Sequence, residues 1–274
     1  MRGSVRSKRR RQRIERVGKA VGVALILQHA ATGVSAQAIR PDGNTATSVL
    51  SRGGGVYDVT TATQVNANAF NSFSTFSVHA GQTVNLHVPG AAQNLINIVR
   101  DARTDIHGVL NAFQDGRIAG NVYFANPHGF VVGAAGIVNV GSLHVTTPTK
   151  GFVDSFFLAP GAPNAAAVAQ LLAGTAPVGA TGLISIEGRI NANDGVTLRG
   201  ANVAVSGAVI AGAQAAAANV SITDVVNTQG MQSGAAMVAD ASGKIRIVAQ
   251  NDVAITGTVA ADGAAGRKAG DVNV

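Results

Sequence analysis

Asn202-Val203-Ala204-Val205-Ser206-Gly207-Ala208-Val209 matches Asp252-Val253-Ala254-Ile255-Thr256-Gly257-Thr258-Val259 position for position, and Asn219-Val220-Ser221-Ile222-Thr223 is a weaker third copy. Each copy alternates apolar with small or polar residues, the period of a half-buried strand, and the two full copies then turn at a Gly. A second signature, Gly-x-Ile/Val-x-Ile/Val, recurs at Gly182 to Ile186, Gly243 to Ile247 and Gly270 to Val274. The full copies stand 50 residues apart and the last two signatures 27 apart. Coils of roughly 20 to 30 residues fit both separations and lie in the period range of solenoids. Val203, Val205, Val253 and Ile255 then face inwards and stack on neighbouring coils, which predicts an all-β chain folded as a parallel β-helix. A β-sandwich is the competing architecture, but its hairpin signals, Asn-Gly or Asp-Gly between long alternating runs, are sparse.

Strand-like alternation continues outward from the repeat at Val84 to Val88, Ile137 to Val140, Leu143 to Val145 and Ile184 to Ile186. All nine Phe lie between Phe70 and Phe157. Residues 39–157 are therefore read as a specialised beginning, including a cap over the first coil's open strand edges. Residues 183–274 are the plain, extendable part. Between them, 158–182 reads as an excursion. Asn164 suits an N-cap, Ala165 to Ala173 a short helix and Gly174 its stop, while a loop rich in Ala, Pro and Gly is the alternative. Within the first part, Tyr123-Phe124-Ala125-Asn126-Pro127-His128-Gly129-Phe130-Val131-Val132 reads as strand, tight corner, strand. Pro127 presets φ, Gly129 tolerates unusual angles, and the corner is expected at a sheet rim.

The apolar content, 46% of residues, comes with only 4% aromatics, 34 Gly and no Trp or Cys. Thin layers of small β-branched residues suit it better than a compact aromatic core. Without Cys there are no disulfides and no thiolate metal sites. The formal charge of +7, from 21 Lys and Arg against 14 Asp and Glu, is local. Residues 1–36 hold nine of the basic side chains and one acidic one, leaving 12 basic and 13 acidic, a net of −1. The basicity thus argues for a leader and against a nucleic-acid partner.

That leader runs from a long positive stretch through Ala20 to Leu27, which is apolar, to small residues ending at Ala36 and Ala38. This is the order of a signal peptide over residues 1–38, cleaved after Ala36 or Ala38, and its apolar run is far short of the roughly 20 residues that span a bilayer. A basic amphipathic helix on a membrane or nucleic acid is the alternative. At the other end, Gly270 to Val274 opens another coil, so the chain is expected to be the amino-terminal part of a longer repeat protein.

Chemistry-bearing clusters are few. The six His (His29, His79, His87, His107, His128, His144) lack metal-ligand spacing, and His87 and His144 are expected to face outwards from strands. Arg52-Gly53-Gly54-Gly55 lacks the ending of a phosphate loop and reads as a flexible turn. Asp101, Asp105 and Asp115 with Arg100, Arg103 and Arg117 could serve a polysaccharide-degrading β-helix enzyme, but solvated loops explain them equally well. No cofactor and no catalytic residue is expected.

The stretch from Asn66 to Thr147 resembles the amino-terminal secretion domain of filamentous haemagglutinin-like exoproteins exported by the two-partner pathway. Asn71-Ser72-Phe73-Ser74-Thr75-Phe76-Ser77-Val78 is similar to the family's Asn-x-Phe-x-x-Phe-x-Val element. Asn126-Pro127-His128-Gly129-Phe130 is similar to its Asn-Pro-Asn-Gly-Ile motif, with His128 for Asn and Phe130 for Ile. Gly136 to Val140 and Gly141 to Leu143 resemble its first regular coils, and a long basic leader is characteristic. A further Asn-Pro-Asn-Leu motif is missing, and the corner is similar to that of leukotoxin-type filamentous adhesins. The resemblance implies a right-handed parallel β-helix, Sec export, and recognition in the periplasm by the POTRA domains of an outer-membrane β-barrel transporter. Asn71, Phe73, Phe76 and Asn126 to Phe130 would carry that recognition. It further implies a secreted or cell-surface virulence protein of a Gram-negative cell. That protein would be an adhesin, or alternatively a cytolysin or contact-dependent toxin, meeting a host or bacterial surface through a downstream region.

Overall fold

The computed structural model describes residues 38–212, 243–263 and 269–274, and its strands stack as coils of a parallel β-helix with three faces. The first face stacks Val56–Thr61, Thr83–His87, Val109–Gln114, the first halves of Ile137–Thr146 and Arg189–Gly200, then Ala208–Gly212 and Thr258–Asp262. The second runs from Asn68–Val78 through Asn94–Val99, Asn121–Ala125, the second halves of the two long strands, Lys244–Ala249 and Asp271–Asn273. A shorter third face stacks the end of Asn68–Val78 with Thr104–Ile106, Phe130–Val132, Leu183–Ile186, Asn202–Val205 and Val253–Ile255. The architecture is the expected parallel β-helix and not the sandwich.

The sequence repeat is one coil lying on the next. Val203 pairs with Val253, Val205 with Ile255 and Val209 with Val259. Lys244 pairs with Asp271, so the last two Gly-x-Ile/Val signatures also stack, whereas the copy at Gly182 to Ile186 belongs to the third face. The copy at Asn219 to Thr223 lies outside the described residues. Inward stacking is complete for Val203 and Val205, which are buried. Val253 and Ile255 correct the expectation: they are 37% and 38% exposed, with no described strand over them.

The glycine inside the repeat has a steric cause. At the turn from third to first face, Gly108, Gly136, Gly188, Gly207 and Gly257 form a column, and a Cβ on each would lie 2.0 to 2.3 Å from a carbonyl oxygen of the coil before. Backbone passes so close to backbone there that no side chain fits.

Inside, the early coils carry rings and the later ones small aliphatics. Phe73, Phe76, Phe124 and Phe130 give way to Ile184, Ile186, Val203, Val205, Ile245 and Ile247, all in one continuous core. Two antiparallel elements stand at the solenoid's beginning. Ile39–Pro41 pairs antiparallel with the strand bearing Phe73 and Phe76. Thr47–Gly53 forms a hairpin with Val56–Thr61. Arg52-Gly53-Gly54-Gly55 makes that hairpin's turn, with the three glycines at φ of 86°, 59° and 80°.

After Thr146 the chain leaves the solenoid and rejoins it at Leu183. The excursion contains helix Lys150–Asp154, a two-strand ribbon of Phe157–Ala159 with Ala162–Pro163, and helix Ala165–Leu172. The Asn164 side chain caps the second helix by accepting from the backbone N–H groups of Ala166 and Ala167, and Gly174 follows at φ 68°. So short a helix persists because its apolar side is covered. Ala167, Val168 and Leu171 join Phe152, Phe156 and Phe157 in a second core with Phe70, Ile96, Ile98 and Tyr123 of the solenoid's second face. Those strands are therefore buried on both sides, which explains why Leu95, Ile96, Ile98 and Val99 are apolar on both faces, with only Asn97 between them.

Candidate functional site

The corner at Asn126 to Gly129 lies in the third coil, between the second and third faces, with a coil on either side. It is thus not at a sheet rim, because the coil before and the coil after both bond to it. Asn126 Oδ1 accepts from the His128 backbone N–H (2.9 Å), and Gly129 N–H donates to Asn126 O (3.3 Å), closing the turn. Asn126 Nδ2 donates backwards to Ala102 O and to Thr104 Oγ1, each at 2.9 Å. Its backbone N–H donates forwards to Thr146 O (3.1 Å). Gly129 stands at φ 110°, accepts from Thr104 N–H, and would place a Cβ 2.5 Å from Leu183 O. One fully buried asparagine thereby ties three successive coils.

The two family-like elements meet inside the solenoid. Ring centroids run Phe73 to Phe76 at 5.1 Å, Phe76 to Phe124 at 5.3 Å and Phe124 to Phe130 at 5.2 Å, tilted or edge-on as aromatic quadrupoles favour. A polar chain runs beside them. Asn71 Oδ1 accepts from Thr47 Oγ1, Asn71 Nδ2 donates to Asn97 Oδ1 (3.0 Å), and Asn97 Nδ2 donates to Tyr123 O (3.1 Å) in the strand entering the corner. Asn71, Phe73, Phe76, Asn126, Pro127, Gly129 and Phe130 are buried; His128 alone of the eight is exposed. Its Nε2 donates to Arg100 O (2.8 Å).

Arg100 is a junction that composition does not reveal. Its Nε donates to Asp42 Oδ2 (2.7 Å), its Nη1 donates to Val153 O in the excursion, and its guanidinium lies 5.9 Å from the Phe157 ring centroid. Asp42 also accepts from Ser72 Oγ (2.6 Å) and from Asn44 N–H. Burial pushes the Asp42 carboxyl up, but those hydrogen bonds and the Arg100 charge outweigh it and hold the carboxyl below its ordinary value. The guanidinium thus holds Asp42, just after strand Ile39–Pro41, and Val153 of the excursion, while the corner's His128 bonds to the backbone carbonyl of the same residue.

A second polar device escaped the sequence reading. Asp58, Asn85, Asn111, Asn139 and Asn191 sit on one row of the first face, opposite the core residues, and are buried. Each Asn Nδ2 donates to the side-chain oxygen of the residue one coil earlier at 2.9 to 3.1 Å. The signal exists: Asn85, Asn111 and Asn139 stand 26 and 28 residues apart, and Asn71 and Asn97 stand 26 apart. Alternation hid it, since a polar residue opposite an apolar row normally reads as solvent-facing. At the ladder's foot, burial raises the Asp58 pKa, but hydrogen bonds from Asn85, Arg52 and His87 outweigh it and leave it lowered.

The acidic and basic side chains weighed for catalysis do not converge. Arg100 pairs with Asp42, Arg103 pairs with Asp105 at 2.8 Å on the surface, and Asp115 sits in a hairpin turn that Arg117 follows. No group of three or more potential metal ligands occurs among the described residues. His87 is partly exposed and stacks on Phe113, with Nε2 3.3 Å from Asp58 Oδ1. His144 departs from expectation. It does point away from the core, but it stacks on Tyr123 at 4.3 Å, and burial lowers its pKa to about 4. Leu171 and Leu172 line the same cavity as Tyr123 and His144. The leader through residue 37, and His29 with it, lies outside the described residues.

No curated protein matches this chain. The model of the TPS secretion domain matches residues 37–274, which takes in both elements, the corner and the coils stacked on them. The chain belongs to the TPS family and is a two-partner secretion domain, part of a protein exported from a Gram-negative cell with a cognate outer-membrane transporter as its partner.

Proposed function

We propose that this domain is the amino-terminal part of a filamentous adhesin, that it directs passage through a β-barrel transporter with POTRA domains, and that it templates folding of the β-helix behind it. The observation that carries this reading is the burial of seven of the eight motif residues. A partner can touch them only while the chain is extended, so the same residues serve recognition before folding and registry after it. Extended segments bind well by adding to the strand edges of a soluble domain. Each coil that forms outside buries apolar residues against the last one, which biases movement outward without ATP.

Sec export with cleavage after Ala36 fits the fold better than cleavage after Ala38. Ala38 O accepts from Ser77 N–H, and Ile39 is buried against the first coil, so removing Ala38 would strip a bond from the opening strand. The central test is Asn126→Ala with Pro127→Ala. Secretion through the transporter should fall severalfold, with the protein held in the periplasm and more sensitive to protease. Wild-type export with unchanged protease resistance would reduce the corner to an ordinary turn.

A further inference from the structure

Between the C-terminal end of helix Ala165–Leu172 and the outer side of the second face lies a cavity of about 160 Å³. It plays no part in the corner or the aromatic chain. Tyr123, His144, Thr197 and Arg246 form one row of its wall, coil over coil, and Thr146 and Arg199 form part of the next row. None of its lining residues is acidic. Arg199 and Arg246, on adjacent strands and adjacent rows, have no carboxylate within ion-pair distance among the described residues. Burial lowers the Arg199 pKa, and the positive charge of Arg246 lowers it further. Thr146, 8% exposed, keeps a buried hydroxyl with no hydrogen-bond partner among the described residues.

The cost lies in the buried Thr146 hydroxyl, which a ligand's acceptor would satisfy, while the partly exposed Arg199 and the exposed Arg246 bring positive charge to the same cavity. The loop after the helix supplies Arg199 with one partner, since its Nη1 donates to Ala176 O. That uses one of five guanidinium N–H groups, and Arg246 has no such bond among the described residues. We infer that the cavity is a binding site for a compact oxyanion: sulfate, phosphate or the carboxylate of a small acidic sugar. Arg246 and the free N–H groups of Arg199 would donate charge-assisted hydrogen bonds to it, Thr146 Oγ1 would donate a third contact, and the flat Tyr123–His144 stack would bound one side.

The test is calorimetric titration of the mature secreted protein with sodium sulfate, sodium phosphate and sodium glucuronate at matched ionic strength. At least one should bind with a millimolar or lower Kd. Arg246→Ala removes an exposed side chain and should weaken binding by about tenfold or more. Thr146→Val, which keeps the shape and removes the hydroxyl, should weaken it too. Arg103→Ala removes a surface arginine elsewhere and should change nothing. Tighter binding of glucuronate than of either inorganic anion assigns the site to an acidic sugar, and the reverse assigns it to a free anion. Absence of binding by all three, or equal binding by wild type and Arg246→Ala, overturns the inference.

Discussion

Gly207 shows how a single missing side chain sets the coil-to-coil distance. A Cβ there would lie 2.0 Å from Gly188 O and 2.3 Å from Glu187 O, both backbone atoms that cannot rotate away. Gly207→Ala should therefore force two coils apart and cost about 1–3 kcal/mol, read as a lower urea midpoint at unchanged slope. Gly151, inside helix Lys150–Asp154, has open space where its Cβ would be. Gly151→Ala should be neutral or stabilise by up to about 1 kcal/mol. Equal losses for the two would remove close approach as the cause. The repeat displays Gly207 and Gly257 as turn punctuation, which is what propensity can say. That they abut carbonyls of the previous coil depends on stacking, and no local reading contains it. The same holds for Asn126: its turn chemistry is local, whereas its bonds to Ala102, Thr104 and Thr146 join residues 20 to 24 positions away.

At the scale of elements, the excursion decides which side of the second face is wet. Helix Ala165–Leu172 was legible from Asn164 and Gly174, each acting within one turn of chain. Its docking was not, because Phe70, Ile96 and Ile98 become buried on the outer side only through a segment far along the sequence. His144 under that cover gives the docking a pH signature. The folded protein holds its imidazole neutral down to about pH 4, while the unfolded chain protonates it near its ordinary value of 6.5. The unfolded state thus binds more protons in that window, so stability is full above about pH 6.5 and falls as pH drops towards 4. The loss is at most about 3 kcal/mol, less whatever solvent recovers at this half-buried site. His144→Phe should flatten the dependence between pH 6.5 and 4 in thermal melts; an unaltered slope would place the titrating group elsewhere.

Over the whole molecule, each coil touches mainly its neighbours, so stability need not be uniform along the axis. The coils from Val56 to Val132 have an aromatic interior, antiparallel strands at their beginning, the Arg100 junction and the second core on their outer side. The later coils have Val, Ile and Ala inside, and Val253, Ile255 and Val272 are exposed. Hydrogen exchange should therefore be slowest at Ile96, Val122 and Phe124 and quicken towards Val205 and Ile255. Phe124→Ala deletes the ring that links Phe76 to Phe130 and should cost about 3–5 kcal/mol. If folding begins from these coils, that loss removes the surface on which every later coil registers, and exchange should quicken along the full solenoid with reduced secretion. Val205→Ala is a smaller deletion in a later coil, and quickened exchange should be confined to the strands stacked on it, Leu183–Ile186 and Val253–Ile255. A Phe124→Ala protein whose exchange rises only between residues 68 and 132, with export intact, would show the early coils to be merely the most stable part and not the template.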